Sequence, residues 1–330
     1  MRRALFLLAA IVLVLAGAIA GCKNQSGQGG QGGESAAPGR SGQKGGGRRP
    51  TTVQGIPTGT GTFKLNLDVG TVGHREYLLH VPAQLTKGSW RSGKPVKPLP
   101  LVLAMHGGLS NMQGMRELTG FDGLSDQKGF LVAYPDGFMT TWNAGDCCGA
   151  AKIGNVDDVG FLTKLIDKLV GSGLADGRRV YATGFSNGAG MAYRLACDGP
   201  GKVAAIGVVE GALVMSCHPG RPVSALIFHG TADRSVPYNG GGNRDFNDHR
   251  PFPPVSQAVD FWRKADKLPG LRQTSLSREL SRASAQCTST GKGGDGAEVS
   301  FCRIDGGTHH WPSTASTQLW DFFAAHPRPS

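Results

Sequence analysis

Five residues, Gly184-Phe185-Ser186-Asn187-Gly188, read G-x-S-x-G. A serine hydroxyl becomes a nucleophile only when a base removes its proton and the chain exposes its oxygen. The flanking residues supply the second condition. Arg178 to Thr183 is short, β-branched and aromatic, which predicts a strand. Ala189 to Ala196 sets Met191, Ala192 and Leu195 at helical spacing, which predicts a helix. A tight turn between the two lifts Ser186 off the sheet edge, and the glycines leave room where strand and helix crowd together. Free N–H groups at the helix start then face any negative charge that develops beside the serine. The competing reading is a glycine-rich loop with an exposed serine. In a chain with 52 glycines the pattern alone does not decide between them.

Two further residues follow strand-like segments. Asp233 closes His229-Gly230-Thr231-Ala232-Asp233, after the apolar run Val223 to Phe228. His309 lies in Gly306-Gly307-Thr308-His309-His310-Trp311-Pro312, after Glu298 to Ile304. Serine, aspartate, histidine in that chain order is the order of an α/β-hydrolase triad. Asp157 and Asp158 precede the serine and head a helix, so capping is their expected role. His106 reads as a packed scaffold residue. Trp142 and Trp311 are candidates to stack on a substrate ring, with a core role the alternative. No C-x-x-C or H-E-x-x-H spacing points to a metal.

These groups need elements to hold them. Leu99 to Met105 and Phe130 to Tyr134 are continuous apolar runs, as are Val203 to Val209 and Val223 to Phe228. Such runs predict parallel strands buried on both faces. Phe63 to Val69 alternates, and Arg75 to Val81 is its expected hairpin partner. Helical patterns cover 112–128, 157–170, 254–268 and 314–325, and 138–155 reads as a loop without a period. Strands alternating with helices predict an α/β fold with a mostly parallel central sheet, whose active groups sit at the carboxyl ends of strands.

Arg2-Arg3 followed by the apolar run Ala4 to Ala20 reads as a secretory leader. It ends Ile19-Ala20-Gly21-Cys22, which resembles a bacterial lipobox and implies lipid attachment at Cys22 after cleavage of residues 1–21. A membrane anchor is the alternative, although the run is at the short end for a span. Residues 22–60 are rich in Gly, Gln and Ser and read as a tether, which leaves one large domain over 61–330. The formal charge is +11, with no striped basic face or nucleic-acid motif, so a nucleic-acid partner is not expected. Nothing calls for a second subunit. The six cysteines after Cys22 are an even set in an exported chain. Of fifteen connectivities, Cys197–Cys217 and Cys287–Cys302 close short loops. Cys147 and Cys148 then remain, as a strained vicinal bridge or as thiols paired otherwise.

The chain resembles the family of polyhydroxybutyrate depolymerases and feruloyl or acetylxylan esterases. The resemblance rests on Met105-His106-Gly107-Gly108, Tyr134-Pro135-Asp136-Gly137, Trp142 to Gly149, Asp157 to Phe161, the serine turn, His229 to Asp233 and His309 to Pro312. It implies an α/β-hydrolase fold and a serine carboxylesterase that needs no cofactor. Ser186 would attack an ester carbonyl, His309 would shuttle the proton, and Asp233 would orient the imidazole. Backbone N–H groups of Gly108 and Asn187 would form the oxyanion hole. The family often has Cys where Gly108 stands. It usually has one histidine before x-Trp-Pro, which aligns His309 and leaves His310 as its neighbour and the competing base. Two rivals stand beside this reading. One is a serine peptidase or thioesterase on the same fold, and the other a non-catalytic binding lipoprotein.

Overall fold

The continuous apolar runs become the middle of one sheet. The computed structural model describes residues 52–329 except 54, 58, 71–72, 86–89, 92–93, 96, 246 and 275–284. The leader, Cys22 and the tether up to residue 51 lie outside the described residues. In chain order the strands are β1 (Thr52–Val53), β2 (Ile56–Pro57), β3 (Gly61–Asp68), β4 (His74–Val81), β5 (Trp90–Arg91), β6 (Lys94–Pro95), β7 (Leu99–Met105), β8 (Leu131–Pro135), β9 (Ala175–Phe185), β10 (Ala205–Val209), β11 (Ser224–Gly230), β12 (Arg272–Gln273), β13 (Ala285–Ser289) and β14 (Val299–Ile304). The helices are α1 (Met112–Thr119), α2 (Phe121–Lys128), α3 (Gly149–Ile153), α4 (Asp158–Gly171), α5 (Asn187–Asp198), α6 (Val255–Ala265) and α7 (Ala315–Ala325).

Among the described residues, ten strands pair in the order β12-β13-β14-β11-β10-β9-β7-β8-β4-β3. The strands from β14 through β8 run parallel, and antiparallel pairs finish both edges. Each parallel strand sends alternate side chains into two cores, because successive residues point to opposite faces. Leu101, Leu103 and Met105 of β7 enter one core, and Val102 and Ala104 the other. The first core takes the stripe Phe161, Leu162, Leu165, Ile166 and Leu169 of α4, with residues of α5 and α6. The second takes Met112, Met115 and Phe121 from α1 and α2, and Leu319, Trp320 and Phe323 from α7. Double burial is why these strands carry no polar alternation.

The structure departs from the sequence reading in four places. The pattern over 112–128 is two helices, broken at Gly120 in a left-handed conformation (φ 59°) that ends α1 and starts α2. The loop 138–155 contains the short helix α3. β12 and β13 depart from the sequence reading, because Ala285-Gln286-Cys287-Thr288-Ser289 carries few apolar residues and only Ala285 and Cys287 of β13 reach the second core. The folded part also begins before residue 61, since Ile56 is buried in the first core.

Among the described residues three disulfides are present: Cys147–Cys148, Cys197–Cys217 and Cys287–Cys302. Cys287 and Cys302 sit directly opposite each other on β13 and β14. Cys197–Cys217 ties the end of α5 to the segment after β10 across a sequence separation of 20. A loop of that length limits the unfolded chain by about 3 kcal/mol. Replacing both cysteines by serine is expected to lower the urea midpoint and, because the unfolded chain is then less compact, to raise the slope, measured by far-UV circular dichroism.

Candidate active site

β9 lies between β7 and β10, near the centre of the parallel strands. It ends at Phe185, and α5 starts at Asn187, so the chain reverses direction at Ser186 alone. Ser186 holds φ 54° and ψ −119°, a left-handed strain for a residue with a side chain. Its N–H donates to the Val209 carbonyl of β10 at 2.9 Å, which fixes the turn to the neighbouring strand. Both flanking glycines are obligatory. A Cβ on Gly184 would collide with the Gly188 carbonyl, and one on Gly188 would collide with the carbonyls of Met105 and His106. The motif therefore marks a position where strand, turn and helix touch backbone to backbone.

Asp233 follows β11 and is buried, while His309 follows β14 and is partly exposed. Nδ1 of His309 meets Oδ2 of Asp233 at 2.7 Å. Oδ1 of Asp233 accepts the N–H groups of Ser235 (2.7 Å) and Val236 (2.9 Å). Burial alone would raise this carboxyl. Hydrogen bonds from His229, His309 and the Val236 N–H outweigh it and hold Asp233 well below the usual carboxylate range. A permanently ionised Asp233 leaves Nε2 of His309 as the free, basic nitrogen. His310 is exposed, and its ring pairs with the Thr308 carbonyl at 2.8 Å, away from the acid.

Ser186 and His309 line one cleft of about 360 Å³, together with Gly108 and Asn187. Ser186 Oγ makes no hydrogen bond among the described residues, and the His309 ring rests 4.7 Å from the Phe185 ring. Serine–imidazole bonds often close only around substrate. Asn187 is the first residue of α5, so its N–H has no acceptor within the helix. A Cβ on Gly108 would meet only the Asn187 Cβ, at 3.8 Å, so a side chain fits there without moving the backbone.

Other sequence candidates take structural positions. Trp142 is fully buried, and its indole N–H donates to the His106 carbonyl. Its own backbone is clamped by the Asn187 side chain, which accepts from Trp142 N–H at 2.7 Å and donates to Trp142 C=O at 3.0 Å. Trp311 is buried in the second core against Phe121. Neither indole lines the cleft, which corrects the expectation that they stack on substrate. His106 is neutral: burial lowers it, Nδ1 donates to the Gly107 carbonyl, and Nε2 accepts from Gly137 N–H at 2.8 Å. Asp157 caps α4 through Gly160 N–H, and buried Asp158 pairs with Arg75 at 2.9 Å.

Several cleft residues escaped the sequence reading. Val214, Val236 and Phe252 form a small apolar cluster with the Cys147–Cys148 bridge, separate from both main cores. Phe252 belongs to the stretch 239–254, which has no period to reveal it. Ion pairs pin that stretch to residues 146–152: Asp146 with Arg244 (3.3 Å) and Arg250 (3.1 Å), and Lys152 with Asp248 (2.6 Å). Glu210, at the carboxyl end of β10, is fully buried beside the site. Its signal was an isolated acid ending an apolar run. Ligand atoms of Glu210, His229 and Asp233 lie within 4.8 Å of one another. All three are engaged: Glu210 accepts from Gly230 N–H, His229 Nε2 donates to the Val236 carbonyl, and Asp233 accepts from His309. The cluster is thus a hydrogen-bonded acid network.

Residues 90–241 match the family described as Esterase PHB depolymerase. Feruloyl esterase C of Emericella nidulans is 26% identical over 293 residues, covering 85% of this chain and 90% of that protein. Feruloyl esterase B of Piromyces equi is 30% identical over 209 residues, covering 59% of this chain but only 36% of that larger protein. Among solved structures, the acetyl xylan esterase from Aspergillus awamori superposes with a TM-score of 0.56 at 15% identity, over 80% of this chain and 99% of that one. That likeness makes the architecture an α/β-hydrolase fold. The match over residues 90–241 and the feruloyl esterase relatives support the esterase PHB depolymerase and feruloyl esterase family, and the protein is a carboxylic ester hydrolase.

Proposed function

We propose that the protein is an extracytoplasmic serine carboxylesterase acting on aromatic acyl esters of plant polysaccharide, through Ser186, His309 and Asp233. The observation that carries this is the 2.7 Å His309–Asp233 contact in the same cleft as a strained Ser186. With Nδ1 committed to Asp233, Nε2 of His309 takes the Ser186 proton as Oγ adds to the ester carbonyl. The oxyanion is met by the N–H groups of Gly108 and Asn187, the second strengthened by the α5 dipole. His309 returns its proton to the departing alcohol, leaving an acyl-serine. Water, deprotonated by the same imidazole, releases the acid and restores the serine.

The apolar wall of Val214, Val236 and Phe252 suits a flat, weakly polar acyl group, and the cleft volume falls in the range of small-molecule sites. The similarity to feruloyl esterase C along most of the chain favours the same choice. Three disulfides and the leader favour export, with Cys22 as the lipid anchor. The test offers methyl ferulate, acetylated xylan and polyhydroxybutyrate to one purified preparation. Ferulate release at least tenfold faster than acetate release is expected. Clearing of the polyester alone would move the assignment to hydroxyalkanoates. A folded protein that cleaves no ester would favour a binding lipoprotein.

A further inference from the structure

Asp233 has a second buried carboxyl behind it. Glu210 ends β10 with φ 53°, a left-handed conformation that side chains rarely adopt, and this turns its carboxyl inward under the site. Both its oxygens lie 3.0 Å from Gly230 N–H, on the strand that leads to Asp233. Oε2 is 3.5 Å from Nε2 of His229, and that nitrogen already donates to the Val236 carbonyl at 2.8 Å. Among the described residues no lysine or arginine pairs with Glu210. Its titratable neighbours are Asp233 and His229, with His309 beyond Asp233 and the Tyr238 ring 6.1 Å from the His229 ring.

Two buried carboxylates side by side without a cation are unfavourable, so one of the pair keeps its proton. The donors are distributed unequally. Asp233 receives two backbone N–H groups and the His309 imidazole, whereas Glu210 receives one N–H, and His229 Nε2 stands 3.4 Å from Asp233 and 3.5 Å from Glu210. Asp233 is therefore the anion. Burial first, and the neighbouring Asp233 after it, push Glu210 up to about 9.

We propose that Glu210 is a positioning residue for the catalytic aspartate: as a neutral acid it donates its O–H to Asp233 and holds that carboxylate against Nδ1 of His309. This rests on the reading of Ser186, His309 and Asp233 as the reacting set. One oxygen of Glu210 keeps the Gly230 N–H while the other carries the shared proton. The arrangement works only while that proton is present. As pH rises through about 9, Glu210 ionises, the donated bond is lost, and a second negative charge appears next to Asp233. Asp233 is then no longer held against Nδ1, the His309 ring loses its alignment on Ser186, and kcat falls.

The test is the pH dependence of kcat and KM for p-nitrophenyl acetate in wild type, Glu210→Gln and Glu210→Ala. A glutamine amide donates to Asp233 at every pH and cannot ionise. Glu210→Gln is expected to match wild type near pH 7 and to lose the fall in kcat above about pH 9. Glu210→Ala is expected to lower kcat about 10- to 100-fold with little change in KM, since only the alignment of the base is lost. The stability profile gives a second readout independent of turnover. Folded Glu210 keeps its proton to about pH 9 while the unfolded side chain releases it near 4.5, so wild-type stability falls as pH rises between those values. Glu210→Gln should flatten that fall. An alkaline limb and a stability slope unchanged in Glu210→Gln would overturn the proposal. So would a glutamine variant as impaired as alanine at neutral pH. Failure of the underlying reading looks different, because a Ser186→Ala variant would then still turn over ester.

Discussion

Ser186→Ala is expected to lower kcat for a chromogenic short-chain ester by about 10⁶-fold while leaving the melting temperature near that of the parent. The loss is large because, in the proposed mechanism, the hydroxyl forms the covalent intermediate and no neighbour stands at the same point of the turn. The fold should survive for a structural reason. Ser186 Oγ bonds to nothing among the described residues, and its N–H bond to Val209 belongs to the backbone, so alanine strands no partner. Alanine meets the same φ of 54° that serine already tolerates. The activity that remains would come from the N–H groups of Gly108 and Asn187 and from binding, about 10³- to 10⁴-fold over water. Differential scanning calorimetry beside a steady-state assay checks both halves. Near-parental turnover in the folded variant would remove Ser186 from the mechanism.

His309→Ala and His310→Ala should separate just as widely. The first removes the donor 2.7 Å from Asp233 and leaves a buried carboxylate without it, so turnover collapses by about 10⁴-fold or more. The second removes an exposed ring bound only to the Thr308 carbonyl, and stability should stay within about 0.5 kcal/mol of the parent. Its turnover should change little. The reverse pattern, a live His309→Ala and an inactive His310→Ala, would hand the role of base to His310.

These contrasts show which parts of the site could be read from residue order. Ser186, Asp233 and His309 were visible because each follows a strand announced by its apolar run, and a parallel sheet brings such ends to one edge. Trp142 was visible but misassigned. Its indole looked like a stacking surface, and only coordinates show it sealed beneath the turn, held by Asn187. Glu210 could not be interpreted from sequence, since an acid closing an apolar strand has no meaning until the strand beside it is known to carry Asp233. Phe252 was hidden for another reason. Its stretch has no periodicity, and ion pairs rather than a repeating apolar pattern hold it in place.

That last difference bears on how such a protein can change over time. The proposed reacting groups follow strands locked by backbone hydrogen bonds between two cores, whereas the Phe252 side of the proposed acyl wall is fastened in part by ion pairs. An exposed pair such as Asp146–Arg250 contributes little to folding, so sequence drift in the exposed part of 239–254 is cheap for the scaffold. A lineage can therefore acquire new tastes in ester by exchanging one surface stretch, while the chemistry beneath it is inherited untouched.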